Sequence, residues 1–111
     1  MKFLKNLWSW LFHRHAKLLV RYVEDDTPPD EVQKGEMVVA KEEGVYWAAA
    51  FLCPCGCKEQ LEVALIPEVR PHWRLFVTKD GKPTLHPSVW RRTGCKSHFW
   101  IKNGETIWCS H

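Results

Sequence analysis

Two groups of side chains in this sequence have the types and spacing to do chemistry. The first is a set of thiols. Cys53-Pro54-Cys55-Gly56-Cys57 packs three of the five cysteines into one run, and Cys95 follows in Gly94-Cys95-Lys96-Ser97-His98. Four thiolates from a tight knuckle and one distant turn suit a tetrahedral zinc ion. Pro54 and Gly56 suit a backbone that must turn sharply around it. Common zinc ribbons place two residues between thiols rather than one, which leaves room for Cys109 or a histidine to replace one ligand. Buried free thiols are the plainer reading, and that fits the isolated Cys109 better than a triple run. Four thiolates leave no open position for water, so the ion is expected to be structural. Cys57-Lys58-Glu59 resembles half of the zinc deaminase motif, but no Pro-Cys-x-x-Cys follows, and that chemistry is rejected.

The second group is a serine and a histidine. The chain has four serines, Ser9, Ser88, Ser97 and Ser110. Two lie in segment 84–100, which reads as a hairpin turning at Thr93. In that register Ser88 faces His98, with Cβ atoms about 4.5–5.5 Å apart. An imidazole so placed can take the hydroxyl proton and make the serine a nucleophile. Ser97 adjoins His98 and so points to the other face of the strand. A slip of one residue would break the Ser88–His98 pairing. The competing reading puts Ser88 in a turn after Pro87 and makes His98 an ordinary, satisfied histidine. After Asp80 the only acidic residue is Glu105. A triad would therefore need Glu59, Glu62, Glu68, Asp80 or another remote carboxylate, and a dyad is more economical.

These residues need a frame. Residues 2–19 read as an amphipathic helix, with Phe3, Leu4, Leu7, Trp8 and Leu11 on one face and Lys2, Lys5, Ser9, His13 and Lys17 opposite. Such a helix packs on its own domain, docks a partner or makes peripheral membrane contact. Leu18 to Val23 can start a strand, and 24–34 is an acidic linker holding Pro28-Pro29. Period-two patterning then takes over. Strands are expected at Met37–Ala40, Val45–Leu52, Gln60–Ile66, Trp73–Thr78, Pro83–Trp90, Lys96–Lys102 and Thr106–Cys109, with turns at Glu43-Gly44, Asp80-Gly81 and Asn103-Gly104. The fold class is mainly β (α+β): a small antiparallel sheet or partly open barrel of six or seven short strands, one N-terminal helix and a zinc knuckle. The division is 1–23 helix and lead-in strand, 24–34 linker, and 35–111 zinc-stapled β domain.

The 111 residues suffice for one domain, with a core modest enough to gain from a metal staple. A net charge of +3 falls well short of a dedicated nucleic-acid binder. Arg91 and Arg92 read as a solvated turn or as a contact for acidic groups. Thiols at alternate positions cannot pair with one another without strain, so a reducing, cytoplasmic compartment is expected. No run reaches the roughly 18 apolar residues of a membrane span. Lys5 and Asn6 interrupt the first apolar stretch, and no cleavage site follows, so it does not read as a signal peptide.

Taken in order, the knuckle 53–57, Trp73 with Leu75, Thr84-Leu85-His86-Pro87-Ser88-Val89, Gly94-Cys95-Lys96-Ser97-His98-Phe99-Trp100-Ile101, and Gly104 with Trp108 resemble a small bacterial family. Its members occur in bacterial ubiquitination-like (Bub) operons, beside a ubiquitin-like protein and its activating and conjugating enzymes. The resemblance covers roughly residues 35–109. It implies a serine peptidase with a Ser–His dyad that acts on the ubiquitin-like protein or its conjugates. It implies Ser88 as nucleophile, His98 as base, and Cys53, Cys55, Cys57 and Cys95 as ligands of a structural zinc. The oxyanion would be held by backbone N–H groups. Trp73, Trp90 and Trp100 would wall the cleft or pack as core. A non-enzymatic zinc-stapled module that binds protein or nucleic acid is the alternative.

Overall fold

The period-two segments become eight strands in the computed structural model, which describes residues 17–109. They are β1 (Leu19–Val23), β2 (Glu36–Glu42), β3 (Val45–Leu52), β4 (Gln60–Ala64), β5 (Arg74–Val77), β6 (Pro83–Trp90), β7 (His98–Lys102) and β8 (Glu105–Trp108). They form two four-stranded sheets, ordered β1-β2-β3-β4 and β5-β6-β7-β8. This corrects the expectation of a single sheet or partly open barrel with six or seven strands. The break falls in segment 65–73, where Pro67 and Pro71 lack the N–H that a continuous ladder needs.

A second correction concerns β1, which runs parallel to β2, with Leu19 opposite Glu36 and Val23 opposite Ala40. The segment 24–35 supplies the dozen residues that a parallel crossover needs. It runs without a helix. Pro28 and Val32 are buried, and Gln60 ties the segment down. The Val32 N–H donates to Gln60 Oε1 at 2.9 Å, and Gln60 Nε2 donates to the Pro29 carbonyl at 2.9 Å.

The predicted helix over 2–19 lies outside the described residues except for its end. There Lys17 and Leu18 are irregular and Leu19 opens β1. Two backbone bonds account for this: Leu18 N–H donates to Gly104 O at 2.7 Å and Val20 N–H to Gly81 O at 2.8 Å. Among the described residues there is no helix, and so none long and apolar enough to cross a membrane.

The two sheets share one core. Met37, Val39, Ala49, Phe51 and Val63 of the first sheet meet Leu85, Val89, Phe99 and Ile101 of the second. Phe51 and Phe99 touch edge to face with ring centroids 6.3 Å apart, and both are fully buried. On β7 the buried Phe99 and Ile101 alternate with His98 and Trp100. Burial of the first pair therefore turns the second pair outward. Phe51→Ala is expected to cost about 3–5 kcal/mol of unfolding free energy, from lost transfer energy and the cavity left behind. Denaturant titration reads it, with the slope unchanged.

Asn103 and Gly104 both take positive φ, 49° and 81°, as a two-residue hairpin between β7 and β8 requires. Gly104 also has no room for a side chain. A Cβ there would lie 2.7 Å from the Leu18 carbonyl oxygen.

Candidate active site and metal centre

Ser88 sits near the end of β6 and His98 at the start of β7. The two strands pair Leu85 with Ile101, but further along Val89 with Phe99 and Trp90 with His98. Between these points β6 advances four residues and β7 two. The direct opposition of Ser88 and His98 expected from a simple hairpin is thus corrected: Trp90 lies across from His98. The irregularity contains Pro87, which offers the ladder no N–H. An offset of two residues preserves parity, so Ser88 stays on the His98 face as its diagonal neighbour. Ser88 Oγ and His98 Nε2 are 2.8 Å apart, within hydrogen-bond reach.

Several groups hold this pair. The Trp73 indole N–H donates to the Ser88 carbonyl at 3.3 Å. The Cys109 N–H donates to the His98 carbonyl at 2.9 Å, which ties β7 to the residue after β8. The His98 ring stacks on Trp90, with centroids 4.9 Å apart and planes 14° from parallel. Trp100 shares the outward face and touches His86 at 5.7 Å. Two carboxylates considered for a triad are engaged elsewhere: Glu59 pairs with Arg91 and Asp80 with Lys82. Ser88 and His98 are both half-buried, on the face of the second sheet turned away from Phe99 and Ile101. Cavities of about 290 and 520 Å³ among the described residues are lined by other side chains.

The thiols gather next to this hairpin. Cys53, Cys55 and Cys57 follow β3 of the first sheet, and Cys95 sits in the loop joining β6 to β7 of the second. All four Sγ atoms lie within 4.8 Å of one another. Cys53 Sγ is 3.4 Å from Cys55 Sγ and 3.5 Å from Cys95 Sγ. Zn–S bonds of about 2.3 Å in a tetrahedron put sulfurs about 3.8 Å apart, so the cluster fits that ion's size and donor preference. Cys109 is not part of the cluster. The Ser97 hydroxyl, 3.0 Å from Cys95 Sγ, holds the Cys95 thiol down at about 6. Cys55 is pushed up to about 12, first through its contact with Cys95. One thiolate is thus favoured while its neighbour resists ionising, and a cation bound among them would favour the ionised form of all four.

Arg91 is a residue that sequence reasoning missed. It is neither a solvated turn nor a free contact for a partner. Its Nη1 donates to Cys95 Sγ at 3.1 Å and Cys57 Sγ at 3.5 Å, and its Nη2 to Glu59 at 2.8 Å. A four-thiolate zinc site carries excess negative charge, and a guanidinium beside it offsets that charge. Nothing local signalled the role, because Cys57 and Glu59 lie more than thirty residues away in sequence. Ser97, which the strand argument set aside, has its hydroxyl on Cys95.

A family model described as "Bacterial ubiquitination-like system serine protease (BubE)" matches residues 23–109. The chain belongs to that family. The BubE match takes in the cysteine cluster, Ser88 and His98, and it starts within β1. No curated protein and no solved structure matches the chain. BubE membership thus supplies the enzyme class, and the residues above supply the geometry.

Proposed function

We propose that this protein is a Ser–His peptidase that cleaves or processes a bacterial ubiquitin-like protein or its conjugates, with Ser88 as nucleophile and His98 as general base. The observation that carries this is the 2.8 Å approach of Ser88 Oγ to His98 Nε2 within the segment matched to the family. Ser88 Oγ bonds to the carbonyl carbon of a peptide or isopeptide link as its proton passes to Nε2. The C–N bond then breaks, and Nε2 returns that proton to the leaving amine. Water attacks the acyl-serine, gives a proton to Nε2, and frees the carboxylate as Ser88 recovers its hydrogen. An ester link reacts by the same route with an alcohol as leaving group.

A site on the face of a sheet suits an extended polypeptide tail better than a small molecule, whose sites are mostly enclosed. Cys53, Cys55, Cys57 and Cys95 would hold a structural zinc, and thiols kept reduced for a metal suit a reducing cytoplasm. Zinc bound there supplies a cross-link between the sheets, and the chain's own side chains do the proton transfer.

A serine-directed fluorophosphonate probe tests the assignment. Full-length protein is expected to be labelled at Ser88, and labelling is expected to vanish in both Ser88→Ala and His98→Ala. Labelling that survives in either variant, or none in folded, zinc-loaded protein, overturns it in favour of a non-enzymatic binding module.

A further inference from the structure

Trp90 occupies the position directly across from His98 in the paired strands. Its indole is half exposed, with 49% of its surface open, so it fills little of the core. It lies nearly flat against the imidazole, 4.9 Å between centroids at 14°. Arg92 Cζ stands 4.2 Å from the centroid of the same indole, a cation–π contact that helps fix its plane. A half-exposed tryptophan clamped between an arginine and the candidate base has a narrower job than gripping substrate.

That job follows from the two-residue offset. Ser88 is diagonal to His98, and diagonal positions are separated by about 7–8 Å. The imidazole must lean along the sheet to reach the hydroxyl. The indole stands on the directly opposed position and keeps the ring in one plane. It also presents the negative face of its π system to a ring that becomes a cation during the reaction. We infer that Trp90 is a positioning residue for His98: its indole face aims the imidazole at Ser88 Oγ and steadies the imidazolium formed when Ser88 gives up its proton. This rests on the Ser88–His98 reading given above.

The fluorophosphonate probe separates this role from tail binding, because so small a molecule does not span a substrate cleft. Trp90→Leu, in the full chain loaded with zinc, is expected to lower the saturating labelling rate about 10–30-fold. The half-saturating probe concentration should change less than about twofold. Trp90→Phe, which keeps a π face, is expected to recover to within about threefold of the parent. Trp90→Gln serves as a second variant without a π face, and only variants that melt like the parent are compared. Parental labelling rates in Trp90→Leu or Trp90→Gln overturn the inference, as does a Trp90→Phe variant no faster than Trp90→Leu. Failure of the parent itself to label strikes the dyad instead, so the two failures are distinguishable.

Discussion

Replacing Ser88 with alanine is expected to lower turnover of a ubiquitin-like conjugate by about 10⁴–10⁶-fold, the scale on which serine proteases lose rate without their nucleophile. His98→Ala should fall to the same floor. The double variant should be no slower than either single one, because a hydroxyl and the base that activates it act as a unit. Half-saturation by substrate should barely move, since neither side chain is asked to grip the tail. The loss should also leave stability nearly untouched, because Ser88 is only half-buried and the core side of β6 is carried by Leu85 and Val89. Steady-state kinetics on a purified conjugate, with melting curves for each variant, check all of this. Two single variants whose losses multiply in the double variant would speak against a shared relay.

Stripping the metal is expected to have the second large effect. Metal analysis should find one zinc per chain. Three of the cysteines follow β3 and the fourth lies in the loop between β6 and β7, so an ion among them would bridge the two sheets three residues before His98. Structural zinc contributes on the order of 10 kcal/mol in small domains that depend on it wholly. This chain has a shared apolar core besides, so the fold should survive in part, with a melting temperature lower by about 10 °C or more. Activity should suffer more than stability. Cys95 lies three residues before His98, and a displacement of about 1 Å between reacting groups costs about 100-fold. Three of the four thiols are exposed, so a chelator can reach the site. Zinc should restore the rate and magnesium should not, because soft thiolates discriminate against a hard cation. Cys95→Ser should mimic chelation, whereas Cys109→Ser should match the parent. A chelated protein with full activity and an unshifted melting curve would remove the staple.

Much of this arrangement was legible in the residues, for identifiable reasons. The bounds of β3 and β6 coincide with the predicted Val45–Leu52 and Pro83–Trp90, because a turn opens each strand, Glu43-Gly44 before β3 and Asp80-Gly81 before β6. Asn103-Gly104 announced its hairpin because few other pairs accept positive φ twice. The thiol cluster was visible because three cysteines share five positions. The nearness of Ser88 and His98 was legible through parity, yet the register was not. Side-chain alternation reports the face of a strand and is blind to an insertion of two residues, although Pro87 marked where one could occur. Strand direction leaves no mark on a period of two, so the parallel pairing of β1 could not be read. Trp90 and Arg91 were missed as supports because their partners are set by which strands meet.

The bonds that join Leu18 and Val20 to Gly104 and Gly81 reach across most of the sequence. A ribosome delivers the first strand long before the glycines that receive it. Contacts so distant along the chain make folding slow, and they form only after a costly loop has closed. β1 can pair with β2 early, but the Leu18 and Val20 amides must stay bound to water until the late turns emerge. The last hairpin of the second sheet must therefore be made before this early segment gains both of its long-range bonds.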